Sequence, residues 1–132
     1  MSKTVIVFED ADMLKEWSNI HPTLREVFFT LMKVWPEGVP VRLTSLNRTY
    51  AEDRALGASG VHSAGPPWRA VDIGGAEIDQ VHLNAMGDYV NTVWTYDKNR
   101  PKKNLKCAVA KQHGTGKHIH LQVHKRTQRN VE

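Results

Sequence analysis

Two segments of the chain carry apolar residues at the three- and four-residue spacing of a helix that packs against a core. The first begins at Pro22, and Pro36 and Gly38 end it. Its apolar positions are Leu24, Val27, Phe28, Leu31, Met32 and Trp35. The second follows Asp79, a favourable N-cap residue, with Met86, Tyr89, Val90 and Val93 on its inner side. A shorter helix is predicted after Asp10.

Alternating or short apolar runs predict five strands before, between and after these helices. They cover residues 4–8, 39–44, 70–73, 105–109 and 119–123. The last two strands have no helix between them, which favours a hairpin. Mixed helices and strands in this order predict an α+β fold, in which helices pack against a small antiparallel sheet.

Composition narrows the class of protein. The chain has 132 residues, 40% of them apolar and 24% charged, which predicts one domain over residues 1–132. Its net charge of +4 suits an anionic partner. The basic clusters lack interleaved aromatic residues, so we expect no nucleic acid. No apolar run is long enough to span a bilayer, so we expect no membrane insertion. The single Cys107 cannot form an internal disulfide and is predicted to be buried.

The last predicted strand separates polar from apolar residues. One face carries His118, His120, Gln122 and His124, and the other carries Ile119, Leu121 and Val123. Side chains two positions apart on a strand project in parallel, about 6.5–7 Å from each other. Two imidazoles in that geometry can share one metal ion, or one can bind the metal while the other acts as a base. Gln122 is placed to hydrogen-bond a ligand histidine. The alternative without a functional role is a solvent-facing strand that happens to carry histidines.

A histidine and a carboxylate upstream strengthen the metal interpretation. His62 lies in a loop rich in glycine and serine, and Asp72 lies inside the apolar segment Ala-Val-Asp-Ile. A carboxylate in such a strand is costly unless something pairs with it. Together with one histidine of the pair, these residues make three metal ligands and leave a fourth position for water, as a catalytic zinc requires. The alternative for Asp72 is a capping role ahead of Gly74 and Gly75.

In this order the residues resemble the zinc peptidases of the D-alanyl-D-alanine carboxypeptidase and L-alanyl-D-glutamate endopeptidase type, which share their metal site with lysostaphin-like peptidases and hedgehog domains. The similarity covers about residues 40–124. It rests on the segment Thr44-Ser-Leu-Asn-Arg48-Thr49, on His62, on Arg-Ala-Val-Asp-Ile at 69–73 and on His118-Ile-His120. It implies a hedgehog/DD-peptidase-like fold and one Zn²⁺ per chain, bound by His62, Asp72 and His120.

The resemblance also implies two catalytic residues. His118 would transfer the proton of the attacking water, and Arg48 would hold a carbonyl or carboxylate of the substrate. Zinc lowers the pKa of bound water to about 7, and histidine titrates near the same pH. The chain departs from the family at two points. Nine residues separate His62 from Asp72, more than is common, and Lys117 stands where many members carry an acidic residue.

We therefore predict a zinc metallopeptidase that hydrolyses peptide bonds of bacterial peptidoglycan stem peptides, as a carboxypeptidase or as an endolysin-type endopeptidase of a bacteriophage. The N-terminal sequence does not resemble a signal peptide, so we expect synthesis in the cytoplasm and action on the cell wall after release. We favour a monomer.

Two alternatives stay open. The pattern His118-x-His120-x-Gln122 also resembles histidine-triad nucleotide hydrolases and transferases, in which a histidine attacks a phosphate. In the other alternative the chain is a non-catalytic basic binding module. Metal content distinguishes the peptidase from the nucleotide enzyme.

Overall fold

The computed structural model of the protein describes residues 5–8, 11–45, 67–99, 106–113 and 116–130. Its helices are α1 (Ala11–Trp17), α2 (Pro22–Met32) and α3 (Gln80–Val93). Its strands are β1 (Ile6–Phe8), β2 (Val41–Ser45), β3 (Ala70–Gly74), β4 (Trp94–Thr95), β5 (Ala108–His113), β6 (Gly116–Gln122) and β7 (Gln128–Arg129). In these ranges no helix is long and apolar enough to cross a bilayer.

The main sheet has five strands in the order β1-β2-β3-β6-β5, and β4 pairs with β7 in a second, two-stranded sheet. The predicted combination of helices with a small sheet is confirmed at this level. The prediction of an antiparallel sheet is wrong for one pair, because β1 lies parallel to β2. Two helices separate these strands in the chain, and a crossover of that length returns the chain in the same direction. The other neighbouring strands pair antiparallel, including the predicted β5–β6 hairpin.

Both long helices form where their spacing predicts them. The side chain of Asp79 caps α3 by accepting a hydrogen bond of 2.8 Å from the backbone N–H of His82. His21 caps α2 in the same way, through a 3.1 Å bond from the N–H of Thr23. The apolar sides of both helices join one core with the sheet. Its fully buried members include Leu24, Phe28, Leu31, Leu43, Val71, Ile73, Leu83, Val90, Ile119 and Leu121.

The side-chain alternation of β3 and β6 gives the sheet two different faces. Val71, Ile73 and the apolar residues of β6 point into the core shared with the helices. Asp72 and His120, which pair across the two strands, point to the opposite face. Burial of the apolar face therefore also holds the polar face in place. Each large apolar side chain removed from water stabilises the folded state by about 1.5–3 kcal/mol.

The edge strand β5 is tied to α3 by one side chain. The amide of Asn91 donates to the carbonyl oxygen of Ala108 at 2.8 Å and accepts from the N–H of Ala108 at 3.0 Å. This side chain satisfies both backbone groups that Ala108 would offer to a further strand. The contact fixes the helix against the edge of the sheet. Cys107, just before the strand, is fully buried as predicted, although the predicted strand begins three residues earlier than β5.

An ion pair between a buried carboxylate and a partly exposed guanidinium joins the turn after β4 to the turn before β7. The guanidinium of Arg126 donates through Nε and Nη2 to the two carboxylate oxygens of Asp97, each at 2.8 Å. The N–H of Asn99 donates to the same carboxylate at 3.0 Å. The hydrogen bonds from Arg126 hold the pKa of Asp97 well below its usual range, against the opposing effect of burial.

Replacing Asp97 by Asn should lower the melting temperature at pH 7. Because the folded-state pKa of Asp97 is depressed, its stabilising contribution is present above the ordinary value of 3.8 and is lost as the pH falls below it. Thermal melts by circular dichroism should therefore show a constant wild-type advantage from pH 7 to about 5, which shrinks below about pH 4. Asp88→Asn, on the exposed side of α3, is the control. An equal loss in both variants contradicts the assignment.

The thiol of Cys107 should be inert in the folded protein. Burial raises its pKa to about 12, so almost no thiolate forms near neutrality. We expect Ellman's reagent at about pH 8 to label the native chain far more slowly than the chain in urea. The control is a Cys107→Ala/Ser18→Cys variant, whose thiol lies in an exposed turn and should react at once. Equally fast labelling of the native wild type would show that Cys107 is accessible.

Candidate functional site

The antiparallel register of β3 and β6 brings together two of the predicted metal ligands. Asp72 lies opposite His120, and Gly74 lies opposite His118. All four positions belong to the sheet face that points away from the helical core. Of the other predicted site residues, Arg48 and His62 lie outside the described residues.

Asp72 and His120 are in direct contact although they are 48 positions apart in the chain. Nδ1 of His120 lies 2.7 Å from Oδ1 of Asp72. The side chain of His120 is 8% exposed and that of Asp72 is 11% exposed. The described ranges contain no group of three or more His, Cys, Asp or Glu side chains that are placed to hold a metal ion. The third predicted ligand, His62, falls outside those ranges.

Gln122 fixes which nitrogen of His120 carries a proton. The Nε2 amide of Gln122 donates to the carbonyl oxygen of Lys106 at 2.8 Å. This bond orients the amide so that its oxygen faces Nε2 of His120 at 3.0 Å. An amide oxygen only accepts hydrogen bonds, so Nε2 of His120 must be the donor. The predicted contact between Gln122 and a histidine is thus confirmed, and it is anchored to the backbone before β5.

This assignment gives the Asp72–His120 contact its chemical meaning. With the proton on Nε2, Nδ1 of a neutral imidazole is a hydrogen-bond acceptor, and it points at a carboxylate oxygen, which is also an acceptor. Two acceptors 2.7 Å apart require a cation between them. At 2.7 Å this cation is a proton, and the contact is a hydrogen bond. An imidazole nitrogen and a carboxylate oxygen are ordinary zinc ligands, but a tetrahedral zinc ion would hold them about 3.3 Å apart, so the two side chains would have to separate slightly to bind it.

His118 is held by a backbone contact at one nitrogen of its ring. Nδ1 of His118 lies 3.0 Å from the carbonyl oxygen of Gly116 and donates to it, because a carbonyl oxygen can only accept. The proton therefore lies on Nδ1, and the basic lone pair lies on Nε2. His118 is half-buried and precedes His120 by two residues on the same strand face, at a spacing of about 6.5–7 Å.

Three further residues of this face were not predicted from the sequence. Arg42 and Thr44 lie on β2 beside Gly74, and the hydroxyl of Thr44 donates to the carbonyl oxygen of Asp72 in a long contact of 3.4 Å. Lys111 of β5 lies directly opposite His118. Along the chain these residues look like ordinary polar positions of half-buried strands. Only the register shows that they share a face with Asp72.

Comparisons with known proteins add no assignment. No protein-family model, no curated protein and no solved structure matches the chain. The function is therefore inferred from the contacts of Asp72, His118 and His120 and from the sequence resemblance.

Replacing Gln122 by Ala should disturb His120 and the fold together. The change leaves the carbonyl of Lys106 and Nε2–H of His120 without their partner, which costs about 1–3 kcal/mol of unfolding free energy. In ¹H–¹⁵N NMR spectra of the metal-free protein, we expect Nε2 of His120 to be protonated in the wild type and to lose this fixed state in the variant. Gln128→Ala, at an exposed position, should change unfolding by less than about 0.5 kcal/mol. A wild type whose Nε2 lacks the proton would contradict the assigned network.

Proposed function

We propose that the protein is a zinc-dependent peptidase with a hedgehog/DD-peptidase-like fold that hydrolyses peptide bonds of peptidoglycan stem peptides. The main observation supporting this proposal is the buried contact between Asp72 and His120, which brings together a carboxylate oxygen and an imidazole nitrogen, two kinds of atom that bind zinc. The ordered resemblance of the segments around Arg48, His62, Asp72 and His120 supports the same assignment.

Asp72 and His120 would hold the ion together with His62. Bound zinc supplies a Lewis acid and makes its water acidic enough to lose a proton near neutrality. In the absence of metal, neighbouring groups already hold the side chains of Asp72 and His120 in place. Gln122 holds the ring of His120 from the Nε2 side, and strand pairing holds Asp72 on the Nδ1 side. Such outer contacts orient a histidine ligand and typically improve metal affinity 10–100-fold.

His118 would act as the general base and acid. Its Nε2 atom would take a proton from the attacking water and return it to the amine that leaves when the peptide bond breaks. The contact with the carbonyl of Gly116 keeps the opposite nitrogen protonated, so the basic one stays on Nε2. Arg48 would hold the substrate carbonyl or carboxylate, since a guanidinium offers a fixed set of donors to an oxygen pair.

Such an enzyme would act on the bacterial cell wall. It would reach the wall after release from the cytoplasm of a bacteriophage-infected cell. The net charge of +4 supports an anionic target of this kind. The stem peptide would be the substrate, cleaved either at its end or within it.

The Asp72–His120 contact also favours this proposal over its alternatives. A histidine-triad nucleotide enzyme uses the His118-x-His120-x-Gln122 strand but gives no chemical role to Asp72. A basic binding module gives no chemical role to the Asp72–His120 contact. A buried carboxylate needs a partner, and in the proposed site His120 and the bound zinc would both provide one.

The first experiment is the zinc content of the untagged protein by elemental mass spectrometry. We expect about one zinc per chain in the wild type, because the proposed site holds a single ion. Asp72→Ala, His120→Ala and His62→Ala should each lose most of it, because a tetrahedral site rarely survives the removal of a ligand. His82→Ala is the matched control, since His82 is exposed on α3. A wild type that binds no added zinc would overturn the proposal in favour of phosphate chemistry or no chemistry.

Digestion of purified peptidoglycan and of soluble stem peptides then tests the reaction. His118→Ala should keep its zinc and lose at least about 100-fold in rate, the usual contribution of a general base. His118→Ala with wild-type activity would assign the proton transfer to another group. A zinc-loaded wild type that cleaves neither material would reject the peptidase.

A further inference from the structure

We propose that one end of the protein binds an anionic polymer of the bacterial cell wall, in which phosphodiesters repeat along a polyol chain. The surface, here called the basic end, surrounds the end of β6 and carries the cationic side chains of Arg69, Lys98, Lys106, Lys125 and Arg129. The choice of a wall polymer as the partner rests on the proposed function, to which the basic end adds a second contact with the wall.

Positive charge is concentrated in the C-terminal part of the chain. Residues 95–132 contain ten lysines and arginines against two acidic residues, whereas residues 1–94 contain eight against twelve. The formal charge is therefore +8 in the C-terminal segment and −4 in the remainder, a separation that the net charge of +4 conceals. Such an asymmetry indicates a surface that attracts an anionic partner.

Strand pairing brings cations to both sides of the end of β6. The N–H of Val123 donates to the carbonyl oxygen of Arg69 at 2.9 Å. The N–H of Gln122 donates to the carbonyl oxygen of Cys107, next to Lys106, also at 2.9 Å. Arg69 and Lys106 therefore flank the strand at the same level, one before β3 and the other before β5.

The turn after β6 adds the other cations. It contains Lys125 and Arg126, and the N–H of Lys98 donates to the carbonyl oxygen of Arg126 at 3.2 Å. Arg129 follows on β7, opposite Trp94 of β4, with its Cζ atom 5.9 Å from the centroid of the indole ring. The basic end thus combines cations from segments that are far apart in the chain.

Little negative charge offsets these cations. In the described residues from Trp94 onward, Asp97 is the one acidic side chain, and it binds Arg126. Among the ion pairs between described residues, none involves a cation of the basic end. Burial lowers the pKa of His124, and three neighbouring cations lower it further against the effect of Asp97: Arg126, Arg69 and Lys125. The direction of this pKa supports a positive potential at the surface.

The arrangement of the cations fits a chain of spaced anions. Four of the five are exposed, and Arg69 is half-buried. They lie on separate turns and strand ends, so each can pair with a different phosphate and no convergence on one group is needed. A polymer with a charge in every repeat gains from such contacts together, because each one releases a counterion.

Nucleic acid fits this surface less well, because its bases need exposed aromatic rings for stacking. The aromatic residues beside the cations are covered. Trp68 is 9% exposed and Trp94 is 5% exposed. Tyr96 is half-buried, with its ring 5.7 Å from the ring of His124. A polymer that carries phosphates but no bases needs only the cations.

Binding of purified poly(glycerol phosphate) tests the surface without requiring peptide hydrolysis. The fluorescently labelled polymer is titrated with the untagged protein, and anisotropy is recorded between about 50 and 200 mM KCl. We expect the wild type to bind and its affinity to fall as salt rises. Lys98→Gln/Lys125→Gln should weaken binding at low salt about tenfold or more. It should also reduce the slope of log affinity against log salt by about one to two, since two phosphate contacts are lost.

Arg42→Gln/Lys111→Gln is the matched control, with the same change in net charge at the other end of the strands. Lys111 pairs with His118, which lies five residues or about 17 Å before Val123 along the chain of β6. That distance exceeds the screening length of about 8–10 Å, so the control should bind nearly as well as the wild type. Circular dichroism checks that both double variants are folded.

A wild type that does not bind the polymer, or equal weakening in both double variants, would overturn the basic end as a docking surface. Tighter binding of a single-stranded oligonucleotide of equal charge would assign the surface to nucleic acid and overturn the wall polymer. The readout separates the two proposals. A protein that binds the polymer through Lys98 and Lys125 but holds no zinc would retain the surface and lose the peptidase assignment. A zinc-loaded protein that cleaves stem peptides without binding the polymer would do the reverse.

Discussion

The contact between Asp72 and His120 is the constraint on which the described site depends. It places a carboxylate and an imidazole 2.7 Å apart on the two central strands of the sheet, with each side chain about nine-tenths buried. Neither group tolerates such burial alone, and removal of one partner from a buried pair typically costs about 3–5 kcal/mol. The pairing of β3 with β6 must therefore keep its register for the protein to remain folded as well as for the site to exist.

The surrounding structure restricts this contact from several directions. Ile73, Ile119 and Leu121 bury the other side of the same strands against the helices, which prevents either strand from slipping by one residue. Gln122 connects the ring of His120 to the backbone at Lys106. The imidazole cannot turn without breaking its two buried contacts, one with Gln122 and one with Asp72. A site built on paired strands in this way is preorganised, which is what metal binding and catalysis both require.

The same face of the sheet carries further polar side chains beside the Asp72–His120 pair. Strand geometry repeats every two residues, so the row next to Asp72 and His120 is again directed to this face. That neighbouring row contains a glycine between Arg42 and His118, followed by Lys111.

The sequence alone determined the features that depend on local periodicity. The helical stripe that includes Leu24 and Phe28, the N-cap at Asp79 and the two-faced character of the last strand were all predicted correctly, because a helix or strand places neighbours in the chain at fixed angles. The resemblance also singled out Asp72 and His120. The tertiary structure decided that these two touch, that β1 runs parallel to β2, and that Arg42 and Lys111 share their face. Such pairings join residues far apart in the chain, and their register is set by how whole strands bury their apolar sides together, which no local pattern records.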